Sequence, residues 1–197
     1  MTPVFSHPGV PLTDHLREVA NGCVKILSER AISCPVPQSC LTDLGYIMGI
    51  THDITKATVN FQNYLFKRPY KKPKHHALMS AFVAKEVADH YLKTNWSGKI
   101  EQALFDVLPF MVFTAVKRHH GNLLDFWDEL NELRRKDDDL QKQIKNFYQP
   151  EAEKILKELL EVKSLQFDWV QFENYIITKQ YLDDYADFAG DFKSDFK

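Results

Sequence analysis

The sequence predicts an all-α fold in one globular domain. Three observations lead to this prediction: glycine is scarce, with 7 in 197 residues, apolar residues recur at helical spacing, and no segment alternates apolar and polar residues as a half-buried strand does. The length is that of one domain. The hydrophobic content of 44% lies in the ordinary globular range, so the chain can bury a core.

The first elements are an extended lead-in and a helix. Residues 2–12 contain three prolines and are predicted to be extended. Thr13 or Asp14 can cap the first helix. This helix is expected to end before the loop over residues 33–37, which contains two prolines.

A second helix begins near Thr42 and carries Gly45 and Gly49, which lie on one helix face because they are four residues apart. Small residues at these positions allow another backbone to approach closely. The dipeptide His52-Asp53 follows directly and is expected at or near the C-terminal end of this helix.

Four further segments follow in the middle of the chain. A short helix is predicted over residues 58–65, and a basic loop with two prolines covers residues 67–74. A long helix is predicted over about 76–93 and another over about 100–119. Pro109 lies inside this last helix, which predicts a kink or a break there.

The composition changes near residue 125. Charges are dense from 125 to 165, and Pro150 separates two amphipathic helices, so we predict a peripheral helical hairpin inserted in the domain. The acidic run 137–139 is interpreted as a solvated helix face, because successive helical residues point in different directions. A final helix is predicted over 168–189. The segment 191–197 is expected to be frayed or cut, which favours a fragment of a longer protein.

Charge and cysteine content exclude several classes of protein. The formal net charge of −2 does not by itself attract nucleic acid, so such binding would need a local patch. Cys23, Cys34 and Cys40 are odd in number and have no Cys-x-x-Cys spacing, which argues against a disulfide framework and against a zinc site with cysteine ligands. We expect a cytoplasmic protein with no signal peptide and no contact with a membrane.

The dipeptide His52-Asp53 presents a nitrogen ligand and an oxygen ligand at one place, and a carboxylate can also bridge two metals. Alone, such a dipeptide is more often an ordinary loop or helix end. Divalent transition metals bind imidazole nitrogen and carboxylate oxygen. Five histidines and Asp53 could therefore hold two metals, with one more carboxylate from the last helix. The four histidines that accompany the dipeptide are His15, His76, His119 and His120.

Two metals about 3.5–4 Å apart activate a water and stabilise the attacking and leaving oxygens of an in-line displacement at phosphorus. Hydrolysis of a phosphoester is therefore the predicted reaction. Lys56 lies one helical turn from His52 and near Asp53, where its ammonium could neutralise charge on the phosphate or hold the bridging carboxylate. His7 and His90 do not fit into this pattern of metal ligands, and no role is predicted for them.

This series of residues resembles the HD superfamily of metal-dependent phosphohydrolases. It is most similar to the HD nuclease domain of the helicase-nuclease of type I CRISPR interference. The pattern with Phe61-Gln62 and Leu65 is rather specific, because generic HD nucleotide phosphohydrolases usually lack it. The resemblance covers residues 11 to about 123 and is carried by PLTDHLREVA (11–20), HDITKATVNFQNYL (52–65), HALMSA (76–81) and VKRHHGNL (116–123).

The resemblance implies a two-metal site in which Asp53 and Lys56 are the catalytic residues. The late aspartate is chosen as Asp187 because the Ala-Asp pair at 186–187 matches the family; Asp183 is the second choice, and Asp184 lies in the same stretch. Thr55 departs from the family, which usually has glycine there. One metal would be held by His15, His52, Asp53 and Asp187, and the other by Asp53, His76, His119 and His120.

The resemblance also implies an activity and partners. The expected enzyme is a single-strand DNA nuclease, with endonuclease and 3′-to-5′ exonuclease activity, in antiviral defence. Two divalent ions of Mn, Ni, Co or Fe are expected rather than Mg, because the ligands are rich in imidazole. An ATP-dependent helicase, on the same chain or a separate one, and a CRISPR RNA-guided surveillance complex are the expected partners.

Two other functions remain open from the sequence. One is an HD phosphohydrolase of nucleotides or cyclic nucleotides, and the other is a catalytically silent HD docking module. The basic loop is a candidate DNA contact, since cations beside aromatic rings can guide and stack a single strand; the alternative is an ordinary solvated loop. The basic residues concerned are Lys67, Arg68, Lys71, Lys72 and Lys74.

Overall fold

The computed structural model describes residues 3–69, 76–145 and 149–195. Within these ranges the structure is helical apart from one small antiparallel hairpin, which confirms the predicted all-α class. No described helix is long and apolar enough to cross a membrane. The elements are β1 (Phe5–His7), β2 (Val10–Pro11), α1 (Leu12–Ser28), α2 (Gln38–Thr51), a 3-10 helix (Ile54–Ala57), α3 (Val59–Leu65), α4 (Ala77–Asn95), α5 (Gln102–Lys117), α6 (Phe126–Lys145), α7 (Gln149–Glu161), α8 (Trp169–Ile177) and α9 (Gln180–Asp195).

Helices α1 and α2 pack closely along each other. A Cβ placed on Gly49 would lie 2.3 Å from the Cα atom of Ala20, which is backbone and cannot yield. A Cβ on Gly45 would instead meet the end of the flexible Leu27 side chain. The expected close approach is therefore confirmed, and it fixes α1, which carries His15, against α2, which leads into His52.

Replacing Gly49 with Ala is expected to destabilise the protein by about 1–3 kcal/mol, because the added methyl group forces the two helix backbones apart. Gly22→Ala is the matched control, since a Cβ on Gly22 of α1 meets nothing within 4 Å. It should stabilise the helix by up to about 1 kcal/mol. Urea unfolding measures both, and equal effects of the two substitutions would contradict the close approach.

Helix α5 continues through Pro109, so the predicted break does not occur. Leu108, Pro109 and Val112 are buried, and Phe113 packs its ring 4.8 Å from that of Phe82 on α4. This packing of α5 on α4 holds the helix together where one backbone hydrogen bond is lost. The same helix leads to His119 and His120.

The prediction that residues 125–165 form a peripheral hairpin is wrong, because the two helices of this segment pack against different parts of the domain. Helix α6 packs on α4, α8 and α9, whereas α7 packs on α1, α2 and the 3-10 helix. Both helices contribute to the common core, with fully buried residues such as Leu130 and Leu156. Asp137, predicted as solvated, is buried and accepts a hydrogen bond from the Tyr181 hydroxyl. Asp138 is exposed, as expected of a solvated face.

The predicted final helix over 168–189 is two helices. Lys179 separates α8 from α9 because its backbone adopts a left-handed conformation, with φ of 61°. Its ammonium lies 2.5 Å from the carboxylate of Asp137 on α6. The break turns α9 so that it packs on α6 and α8.

Candidate metal centre

Asp53 is the centre of the site. Helix α2 ends at Thr51, His52 caps it, and Asp53 precedes the 3-10 helix, whose first turn is closed by a hydrogen bond from the Lys56 amide to the Asp53 carbonyl. The Asp53 side chain is almost wholly buried, at 2% exposure. A buried carboxylate needs partners for both oxygens, and here the two oxygens face different groups.

One oxygen of Asp53 faces α1 and the end of α2. Oδ2 lies 3.0 Å from Nε2 of His15 and 3.3 Å from Nε2 of His52. These two nitrogens lie 3.2 Å from each other. The Lys56 ammonium, itself buried, approaches the same oxygen to 2.7 Å.

The other oxygen faces the start of α4 and the end of α5. Oδ1 lies 2.9 Å from Nε2 of His76 and 3.5 Å from Nε2 of His119. Nε2 of His120 lies 3.2 Å from Nε2 of His76. Each oxygen of Asp53 therefore belongs to a separate group of histidines.

Two of the rings are fixed in the orientation that a metal ligand needs. Nδ1 of His52 donates to the carbonyl of Gly49 at 2.8 Å, and Nδ1 of His119 donates to the carbonyl of Val116 at 2.6 Å. In the neutral ring, the proton on Nδ1 leaves Nε2 with a free lone pair. A backbone carbonyl behind the ligand is a common outer contact of metal-binding histidines.

The donor atoms fit divalent cations. Oδ1 of Asp53 and Nε2 of His119 are buried without a hydrogen-bond partner among the described residues. Two imidazole lone pairs only 3.2 Å apart repel each other unless a cation or proton lies between them. Two nitrogens bound to one tetrahedral ion at about 2.0–2.1 Å lie about 3.3–3.4 Å apart. Two groups could thus hold a metal ion: His15, His52 and Asp53, and Asp53, His76, His119 and His120.

Most of the protonation states also suit metal binding; the exception is His119, where burial alone would lower the pKa but the nearby Asp53 carboxylate and Val116 carbonyl raise it. Burial lowers the pKa of His15 and of His76, which favours the neutral ring that ligates a metal. Burial alone would raise the pKa of Asp53, but the neighbouring imidazoles of His119, His52 and His76 outweigh it and hold that pKa well below its usual range. Asp53 therefore stays ionised.

Thr55, where the resemblance leads one to expect glycine, has a structural role of its own. Its hydroxyl donates to the carbonyl of His76 at 2.6 Å and lies 2.9 Å from the hydroxyl of Ser80. These contacts tie the 3-10 helix to the start of α4. The side chain therefore helps to place His76 opposite Asp53.

The structure corrects the assignment of Asp187. The buried face of α9 is formed by Tyr181, Tyr185 and Ala189, so Asp187 points away from the core and is exposed. It lines a surface cavity of about 920 Å³ together with Asp184, and it belongs to neither ligand group. Asp183 is exposed as well, because it lies one turn before Asp187 on the same face.

His7 was missed by the sequence reasoning. Its ring packs edge-on against that of His15, with centroids 5.3 Å apart, so it borders the first ligand group. The hairpin that places it there lies in the segment expected to be an extended lead-in. Among the candidate DNA contacts, Lys67 and Arg68 are exposed; Lys71, Lys72 and Lys74 lie outside the described residues.

The chain matches no family model, no curated protein and no solved structure. The resemblance to HD phosphohydrolases therefore rests on the sequence motifs quoted above. What the structure adds is the convergence of six residues from four separate segments of the chain, His15, His52, Asp53, His76, His119 and His120.

Proposed function

We propose that this protein is a nuclease that hydrolyses phosphodiester bonds of single-stranded DNA with two divalent metal ions. The observation that carries the proposal is the placement of Asp53, whose two oxygens face two separate histidine groups. A carboxylate in this position is suited to bridge two ions. Two such ions, when bound, activate a water and neutralise the charge that develops around phosphorus.

The residues of the chain have distinct roles in this proposal. The histidines would hold the ions through Nε2, and the Asp53 carboxylate would serve both groups. Lys56 holds the Asp53 carboxylate in place through its 2.7 Å contact and adds a positive charge beside the phosphate. Imidazole-rich ligation favours Mn, Ni, Co or Fe over Mg.

A polymeric substrate fits the surroundings of the site. His120 is exposed, and the other four histidines keep 13–20% of their side-chain surface accessible, so a strand can reach the ions. Exposed Arg68 lies over the exposed ring of Phe66, and such a cation and ring suit a single strand. Endonuclease and 3′-to-5′ exonuclease activity, a helicase partner, and a CRISPR RNA-guided complex extend the proposal and follow from the resemblance.

The test compares substrates and metals on protein purified without chelator. With Mn²⁺, we expect circular single-stranded DNA to be cut, while duplex DNA, nucleotides and cyclic nucleotides stay intact. Turnover of nucleotides with intact single-stranded DNA would favour the nucleotide phosphohydrolase instead. Metal analysis tests the alternative of a catalytically silent docking module. If the purified protein holds less than about one ion per chain and binds none on titration, it has no metal centre and the docking module is favoured.

A further inference from the structure

A surface cavity borders the 3-10 helix that follows Asp53. This cavity of about 390 Å³ opens between the N-terminal residues and α3, a size within the range of small-molecule sites, about 300–1,000 Å³. Its walls are mainly apolar, and one basic side chain stands at its edge. The residues that matter to the argument are Val4, Phe5, Val59, Asn63, Phe66 and Arg68.

The walls suit a flat ring. Phe5 and Phe66 meet edge to face, with centroids 5.5 Å apart, which leaves part of the Phe66 ring free: it is 40% exposed. Val59 is 45% exposed. A planar heterocycle stacks on such a ring and covers apolar surface that is otherwise in water.

The basic edge is held in a defined place. Helix α3 ends in a Schellman motif, in which the amide of Arg68 donates to the carbonyl of Asn63 at 2.8 Å and the amide of Lys67 donates to that of Tyr64 at 3.1 Å. Lys67 takes the left-handed position, with φ of 55°. The motif sets the Arg68 guanidinium 5.6 Å from the centre of the Phe66 ring. A phosphate next to a stacked base would meet this cation.

The cavity is joined rigidly to the metal centre. The Gln62 amide bonds to both backbone groups of Phe5, at 3.2 and 2.8 Å, and donates to the carbonyl of Lys56 at 2.8 Å. Lys56 in turn contacts Asp53. Along β1, His7 follows Phe5 by two residues, about 7 Å in a strand, and its ring packs on His15. His7 thus connects the wall of the cavity to the first ligand group.

We propose that this cavity binds one base of the substrate strand, stacked on Phe66, while Arg68 contacts the adjoining phosphate. The inference rests on the proposed nuclease function and names the part of the strand that the protein holds. The base is read by its flat face, so any of the four bases can bind. The site positions the strand so that a phosphodiester further along it lies at the proposed metal centre.

The experiment measures binding in chelator, where no cleavage occurs, by fluorescence anisotropy. The probes are labelled octathymidine and the same backbone with abasic residues. Loss of the bases should weaken binding to the unaltered protein by about 5–150-fold, as expected for one stacked base. In Phe66→Leu, which keeps an apolar side chain but removes the ring, the two probes should bind within about twofold of each other.

Phe66→Tyr is the matched control, because it keeps the ring and should keep the preference for octathymidine. Arg68→Gln should weaken both probes by the same factor, since it removes a phosphate contact. If octathymidine keeps its full advantage in Phe66→Leu, the base binds elsewhere and this inference is wrong, although the nuclease proposal stands. If the unaltered protein neither binds nor cuts single-stranded DNA, the nuclease proposal itself fails.

Discussion

Under the proposed function, replacing Asp53 with Asn is expected to prevent the binding of both metal ions and to lower the cleavage of single-stranded DNA by at least about 10³-fold. The loss should exceed that from removing one charge-stabilising donor, which costs about 10²–10³-fold in other enzymes, because one carboxylate serves both ligand groups. Asn preserves the size of the side chain but not its charge. Metal analysis and the rate of cleavage with Mn²⁺ measure the two effects.

Asp187→Asn is the matched control for this substitution. Asp187 is exposed on α9 and belongs to neither ligand group, so metal content and cleavage should stay unchanged. Circular dichroism of both variants checks that the helices are intact. Cleavage that persists in Asp53→Asn would refute the bridging role. Loss of metal in Asp187→Asn would show that Asp187 is a metal ligand after all, as the resemblance implied.

The clustering of the histidines around Asp53 could be predicted from the sequence, because the chemistry of a metal site depends on residue type and on order along the chain. His15, His52, His76 and the pair at 119–120 lie together in the structure as the two-metal hypothesis requires. The late aspartate could not be predicted in this way. Several aspartates share one stretch of the last helix, and only the packing of α9, which buries Tyr181, Tyr185 and Ala189, shows that Asp183 and Asp187 face away from the core.

The helical class follows from apolar spacing, whereas the breaks and the packing partners do not. Lys179 ends α8 in a left-handed conformation. A lysine does not predict such a helix end, because glycine or asparagine is usual at this position. The dense charges of α6 suggested a solvated surface helix. Two of these charges, Glu129 and Asp137, are instead buried and paired with side chains of other segments, and Glu129 is the clearest case.

Replacing Glu129 with Gln is expected to destabilise the protein by about 3 kcal/mol, the low end for a broken buried ion pair, because the buried Lys117 ammonium then keeps only the more distant carboxylate of Glu132, 3.5 Å away. Glu129 is fully buried on α6, and Lys117 at the end of α5 is 7% exposed. Lys117 and Arg118 both donate to the Glu129 carboxylate. Urea unfolding measures the loss.

The control is Glu158→Gln, which breaks an ion pair of Arg17 and Glu158 in which both side chains are about half exposed. Its cost should be no more than about 1 kcal/mol. Equal losses of unfolding free energy in the two variants would show that the burial of Glu129 does not increase the cost of removing its charge. The double substitution Lys117→Met with Glu129→Leu should recover most of the stability, because no buried charge is then left without a partner.

Helix α6 also supports the candidate metal centre through this contact. Lys117 and Arg118 directly precede the candidate ligands His119 and His120, so the carboxylate of Glu129 holds the turn that carries them. Glu129→Gln is therefore expected to weaken metal binding by about 10–100-fold, the range seen when an outer contact of a ligand is lost. Titration with Co²⁺, followed by its visible absorption, measures this effect under conditions where the variant is still folded. An unchanged affinity would confine the role of Glu129 to folding.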